Sequence, residues 1–156
     1  MEPNEINALK EAKKEGKLLE STLLNIKDFS DNENLPQWVD DSLCELIQAS
    51  KWEELNDRFY KNLDFGTGGM RGIMGVGPNR INKYTIGKAT QGLANTLNSM
   101  YRAQDISVAI AYDCRNNSNK LALNVAEVLT ANGIKAYLFK SLRPTPELSF
   151  AVRELG

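Results

Sequence analysis

The chain contains no histidine, and that single absence removes more chemistry than any other feature of its composition. Without imidazole there is no Ser-His-Asp or Cys-His relay, and no zinc site that depends on a histidine ligand. The two cysteines, Cys44 and Cys114, stand far apart without metal-like spacing, too few for a thiolate cluster. They read as a buried, reduced pair in a cytosolic protein. No apolar run approaches the roughly 18 residues that a bilayer crossing needs. Met1 to Lys14 is polar and mixed in charge, unlike a secretory leader, so a cytoplasmic location is expected. A net charge of −1 provides no broad basic field, so neither nucleic acid nor a membrane surface is an expected partner. What remains, at 42% hydrophobic and 25% charged over 156 residues, suits one globular domain with a real core. Its chemistry has to come from Asp, Glu, Lys, Arg, hydroxyls or backbone.

The first third carries helical periodicity. Ile6, Leu9, Leu18, Leu19, Leu23 and Leu24 mark a loosely amphipathic helix from Asn4 to Leu24, with a possible break at Gly16. Asp28 to Pro36 reads as a polar linker. Pro36 opens a helix on which Val39, Leu43, Leu46 and Ile47 recur, and a shorter helix uses Trp52, Leu55, Phe59 and Tyr60 as packing anchors. At Asp64 the texture changes, giving an expected division into a helical extension, residues 1–63, and an α/β segment, residues 64–156. Gly66, Gly68, Gly69, Gly72, Gly75 and Gly77, more than half of the eleven glycines, fall in a segment read as a hairpin around Phe65 to Ile81.

Beyond it, an amphipathic helix uses Ile86, Ala89, Leu93, Leu97 and Met100. A strand (Val108 to Tyr112), a turn (Asp113 to Asn117) and a helix with Ser118 as N-cap come next, stopping at Asn132-Gly133. A second strand spans Lys135 to Phe139. Thr145-Pro146-Glu147 then opens a closing helix that uses Leu148, Val152 and Leu155. Short strands alternating with helices predict an α/β fold with parallel neighbours. Two central strands are few for such a sheet, and Gly156 falls where another strand is due, so the sheet is expected to be incomplete.

Two segments carry candidate chemistry. In Phe65-Gly66-Thr67-Gly68-Gly69-Met70-Arg71-Gly72, glycines let backbone N–H groups approach an anion, and Arg71 adds a permanently charged fork. A solvated arginine beside a glycine-rich turn is the plain alternative. A dinucleotide fingerprint from Gly66 fails because the required third glycine is Arg71, and a P-loop around Gly87-Lys88 fails at Asn82 and Ala89. The second segment, Tyr112-Asp113-Cys114-Arg115, sits at the carboxyl end of a strand, the edge where α/β sheets collect ligands. Asp113 suits a turn. As an aspartyl-phosphate nucleophile it lacks a metal-binding carboxylate cluster nearby, and Cys114 lacks a base. Arg71 and Arg115 could converge on one phosphate.

These residues resemble a known family. Phe65 to Gly72 is similar to the FGTxGxRG signature opening domain 1 of the phosphoglucomutase/phosphomannomutase (α-D-phosphohexomutase) family, and Val108 to Arg115 to its strand followed by YDxR. Arg143 to Arg153 resembles the TPxLSFAVR stretch of the branch that includes type 2 phosphoglucomutase/phosphopentomutase, and Trp52 to Leu63 resembles that branch's helical N-terminal extension. The resemblance implies a three-layer domain with a mixed sheet and flanking helices. It implies interconversion of hexose 1- and 6-phosphates through a phosphoserine enzyme and a bisphosphate such as glucose 1,6-bisphosphate, with Mg²⁺. By resemblance Thr67, Gly68, Gly69, Arg71 and Arg115 belong to the phosphate shell around the phosphoserine. The serine (TASHNP-type), the lysine base and the DGDxDR Mg²⁺ loop have no counterpart here, so the catalytic residues are expected beyond Gly156. Ser149 lies in TPELSF and is not the nucleophile. The chain is therefore expected to be inactive alone, with the remaining domains of its polypeptide and a phosphosugar as partners. The alternatives are a non-catalytic phosphosugar-binding or complementation module, and a parent enzyme specific for phosphomannose or phosphopentose.

Overall fold

The computed structural model describes residues 1–31, 35–101 and 106–155, and these form two compact units divided at Thr85. The middle of the expected linker and Gly156 lie outside the described residues.

The first unit begins with four helices: α1 (Pro3–Lys14), α2 (Glu20–Ser30), α3 (Gln37–Gln48) and α4 (Trp52–Phe59). The expected helix from Asn4 to Leu24 is two helices. Gly16, at φ +72°, takes the left-handed turn, and the Lys17 and Leu18 N–H groups bond back to the Ala12 carbonyl. The four helices meet in a core of Leu9, Ile26, Val39, Leu43, Leu55 and Phe59. Phe29 crosses the Phe59 ring edge-on at 5.5 Å. Tyr60 is not an anchor: it lies one residue past the end of α4 and is exposed. The short antiparallel strands β1 (Phe65–Gly66) and β2 (Gly69–Met70) follow, and then a tied loop that reaches Asn82.

In the second unit, β3 (Ser107–Ile110) and β4 (Lys135–Leu138) pair in parallel, Ser107 opposite Lys135 and Ile110 opposite Leu138. The helix α6 (Ser118–Ala131) makes the crossover between them, and α5 (Lys83–Met100) packs beside it. The core is Ala94, Ile110, Ala122, Leu129 and Ile134, with Val108, Ala136 and Leu138 against it. Ala109 and Tyr137 point the other way by strand alternation. They line a groove of about 610 Å³ with Phe150, Ala151 and Leu155 of α7 (Thr145–Leu155). Helices on both sides of the sheet give the expected α/β layering.

Two helices bury different residues from those their periodicity suggested. α5 turns Thr90 and Ala94 inward and leaves Leu93 and Met100 exposed. Gly87 lies on the same side, where a built Cβ would meet Asn124 Oδ1 at 3.5 Å and Val128 of α6 at 3.9 Å, ordinary contact distances. A reciprocal amide pair, Gln91 with Asn132, ties the two helices further along. On α7 no residue is fully buried, and Val152 and Leu155 remain exposed.

Candidate functional site

The glycine-rich segment forms a hairpin with Thr67 and Gly68 at its turn, pairing Phe65 with Met70 and Gly66 with Gly69. Gly69, directly after the two turn residues, takes a positive φ of +105°, a backbone conformation open to glycine. Thr67, Gly68 and Arg71 are exposed, and Gly69 is half-buried. Arg71 folds back over the turn, so that a Cβ added to Gly68 would lie 3.6 Å from Arg71 Nη2. Four of the five candidate residues, Thr67, Gly68, Gly69 and Arg71, thus share one exposed hairpin of the first unit.

Arg115 belongs to the second unit, on the turn after β3. Asp113 organises that turn: its carboxylate accepts the Arg115 backbone N–H at 3.1 Å and Arg115 Nε at 2.8 Å. These two bonds, side chain first, hold the Asp113 carboxyl below its ordinary range, and the same pairing raises Arg115. The arginine is fixed at Nε while its side chain stays 84% exposed, a guanidinium oriented by its own turn and open to an anion. Ser118 is not the helix cap. Asn117, left-handed at φ +59°, precedes the helix, and the Ser118 hydroxyl accepts the Asp113 N–H instead. Cys114, on the same turn, is exposed, because a turn beyond the strand end has no layer above it. Cys44 is half-buried, and both thiols are free. Burial first, and then the Glu5 carboxylate that takes its hydrogen bond, push the Cys44 thiol up to about 11.

Sequence reasoning missed two residues that build the hairpin's support. Asn82 caps α5: its Oδ1 accepts the Tyr84 and Thr85 N–H groups, each at 3.0 Å, while Thr85 Oγ1 accepts the Asn82 N–H. Its amide nitrogen also donates to the Gly75 and Gly77 carbonyls at 2.8 and 2.9 Å. The signal was present as Asn82-x-x-Thr85 ahead of an amphipathic run, a relative of the capping box. Arg80 is 4% exposed and pairs with Asp57 and Glu54 of α4. Nothing local marks a buried arginine, since its partners stand more than twenty residues earlier.

Residues 62–156, which contain both the hairpin and the Asp113 turn, match the family model for phosphoglucomutase/phosphomannomutase, alpha/beta/alpha domain I. Among curated relatives, phosphoglucomutase of Staphylococcus haemolyticus is 40% identical over 79% of this chain and 22% of its own length. Phosphoglucomutase of Staphylococcus saprophyticus is 45% identical over 75% of this chain and 21% of its own length. The Staphylococcus aureus RF122 phosphoglucomutase is 44% identical over 76% and 22%. The chain thus spans about a fifth of the length of these relatives. No solved structure gives a significant match. No helix among the described residues is long and apolar enough to cross a membrane. A domain-I match from residue 62 onward, over a parallel βαβ unit and a glycine hairpin, places this chain in the phosphoglucomutase/phosphomannomutase family.

Proposed function

We propose that this chain supplies one wall of the active site of a cytoplasmic phosphohexomutase that interconverts glucose 1-phosphate and glucose 6-phosphate. Residues 1–63 are its helical extension and residues 64–156 part of its first domain. The observation that carries the reading is that one family match takes in both exposed arginine sites, Arg71 on its hairpin and Arg115 on its Asp113-ordered turn. Thr67, Gly68 and Gly69 shape the hairpin wall, and Arg71 on the hairpin and Arg115 on its own turn each offer an exposed guanidinium of the kind that stabilises charge on a phosphoryl group. The Thr145 to Arg153 stretch supports assignment to the type 2 phosphoglucomutase/phosphopentomutase branch.

Mg²⁺ and glucose 1,6-bisphosphate are the cofactor and intermediate of this reading. The described residues contain no group of three or more His, Cys, Asp or Glu side chains able to hold a metal. This reading assigns the ligands of the ion to the remaining domains of the polypeptide, together with the nucleophilic serine. No step in this chain runs through the metal, and the chain by itself is inactive.

Titration calorimetry with glucose 1,6-bisphosphate tests the wall. Heat at submillimolar to millimolar ligand, lost in Arg71→Ala/Arg115→Ala, is the expected result, and no heat from the unaltered chain refutes phosphosugar binding. Turnover of glucose 1-phosphate by this chain at any Mg²⁺ concentration would overturn the claim that it is inactive alone.

A further inference from the structure

The hairpin that carries Arg71 has only a two-residue ladder on each side, too short to hold itself in place. Its two ends are nevertheless fixed. On the entry side the Leu63 N–H bonds to the Pro78 carbonyl at 2.9 Å, and on the exit side the Ile81 N–H bonds to the Ile73 carbonyl at 2.8 Å. Both ends therefore rest on residues 78–81, and that segment is pinned to α4. Asn79 N–H reaches the Arg58 carbonyl at 3.0 Å, and its side-chain amide reaches the Asp57 carbonyl at 2.8 Å. Arg80 makes the strongest tie. Its guanidinium pairs with the Asp57 carboxylate, lies 3.4 Å from Glu54 Oε1, and donates to the Asp57 carbonyl at 3.3 Å.

A buried arginine that bridges two carboxylates and a carbonyl is costly unless all of its donors are met, which fixes its geometry closely. Glu54 is itself held by Arg58 Nε at 2.6 Å, and both arginines flank Gly75, whose added Cβ would lie 3.7 Å from each. The clasp is thus a four-charge network on α4 and the loop, and it serves no phosphate directly because Arg80 is inaccessible.

We propose that Arg80 and Asp57 are positioning residues for Arg71: through their clasp the N-terminal helical array holds the base of the phosphate-facing hairpin. The inference deepens the assignment of Arg71 to the phosphate shell and rests on it. It gives the helical extension a catalytic consequence, since a misplaced cation loses most of its effect on a transferring group.

The test uses the full chain, NMR-detected amide exchange over residues 65–75, and calorimetry with glucose 1,6-bisphosphate. Asp57→Asn keeps the shape and removes the charge at a half-exposed carboxylate, Asp57→Glu restores the charge, and Arg80→Met removes the other partner. Asp57→Asn and Arg80→Met are expected to speed exchange in residues 65–75 by about tenfold relative to α1 and α3, and to weaken bisphosphate binding by a similar factor. Asp57→Glu should recover both. If Arg80→Met fails to fold, the Asp57 pair decides alone. Unchanged exchange in residues 65–75, or exchange that rises equally throughout the first unit, overturns the clasp. Bisphosphate affinity that falls in Arg71→Ala but is unaltered in Asp57→Asn overturns the positioning role and leaves the phosphate reading standing. If the unaltered chain gives no heat, the phosphate reading falls and Arg71 has nothing to be positioned for, whereas the exchange data still decide whether the clasp orders the hairpin.

Discussion

Replacing Gly77 by alanine should destabilise the first unit by about 3 kcal/mol, from two separate causes. The residue sits at φ +121°, where a side chain costs on the order of 1–3 kcal/mol in backbone strain alone. The added Cβ would also lie 2.8 Å from the Arg58 carbonyl oxygen and 3.1 Å from Arg58 Cβ. The obstacle is backbone, so no side-chain rotation relieves it. Moving that carbonyl disturbs the bond it accepts from Asn79 at 3.0 Å, worth roughly 1 kcal/mol. Gly92→Ala is the contrasting change: nothing lies within 4 Å of its Cβ position on α5, and it should stabilise the helix by about 0.5–1 kcal/mol. The chain's two tryptophans, Trp38 and Trp52, both lie in the first unit. Urea unfolding followed by their fluorescence therefore reports the Gly77 effect, and far-UV circular dichroism reports the Gly92 effect. A Gly77→Ala protein within 0.5 kcal/mol of the parent would refute the close approach of this loop to α4.

Acid should weaken the first unit through two carboxylates. Burial alone would raise Glu5, but hydrogen bonds from Cys44, the Glu2 N–H and Gln48 outweigh it and leave the group lowered, while Glu54 is lowered chiefly by Arg58. With folded values below the unfolded 4.5, their stabilisation is complete above that pH and is lost as pH falls through the lower folded values. Glu5→Gln should flatten urea midpoints measured between neutral pH and acid; an unchanged pH profile counts against the Glu5 network. The thiols should also separate kinetically at pH 8. Exposed Cys114 should react with a disulfide reagent on the order of a hundredfold faster than Cys44, whose thiol is raised to about 11, and equal rates would contradict the burial of Cys44 against Glu5.

The sequence by itself determined the class of fold and singled out the segments that carry the candidate site. Local signals suffice there: Gly16 marks a possible break in a helical stretch, alternating short strands and helices imply a parallel βαβ unit, and a glycine run beside arginine marks a candidate anion site. The hairpin and the Asp113 turn could be found the same way, because the residues that shape each are neighbours in the chain. The tertiary structure decided what depends on distant partners. Thr90 and Ala94 of α5 turned inward, so Leu93 and Met100 stayed outside while Leu97 packed against the core, and Cys114 was left exposed. Arg80 became a buried clasp because α4, folded long before it in sequence, presents Glu54 and Asp57 one helical turn apart. Periodicity records that a residue is apolar or charged; only packing selects its neighbour, and the neighbour makes an arginine a ligand or a support.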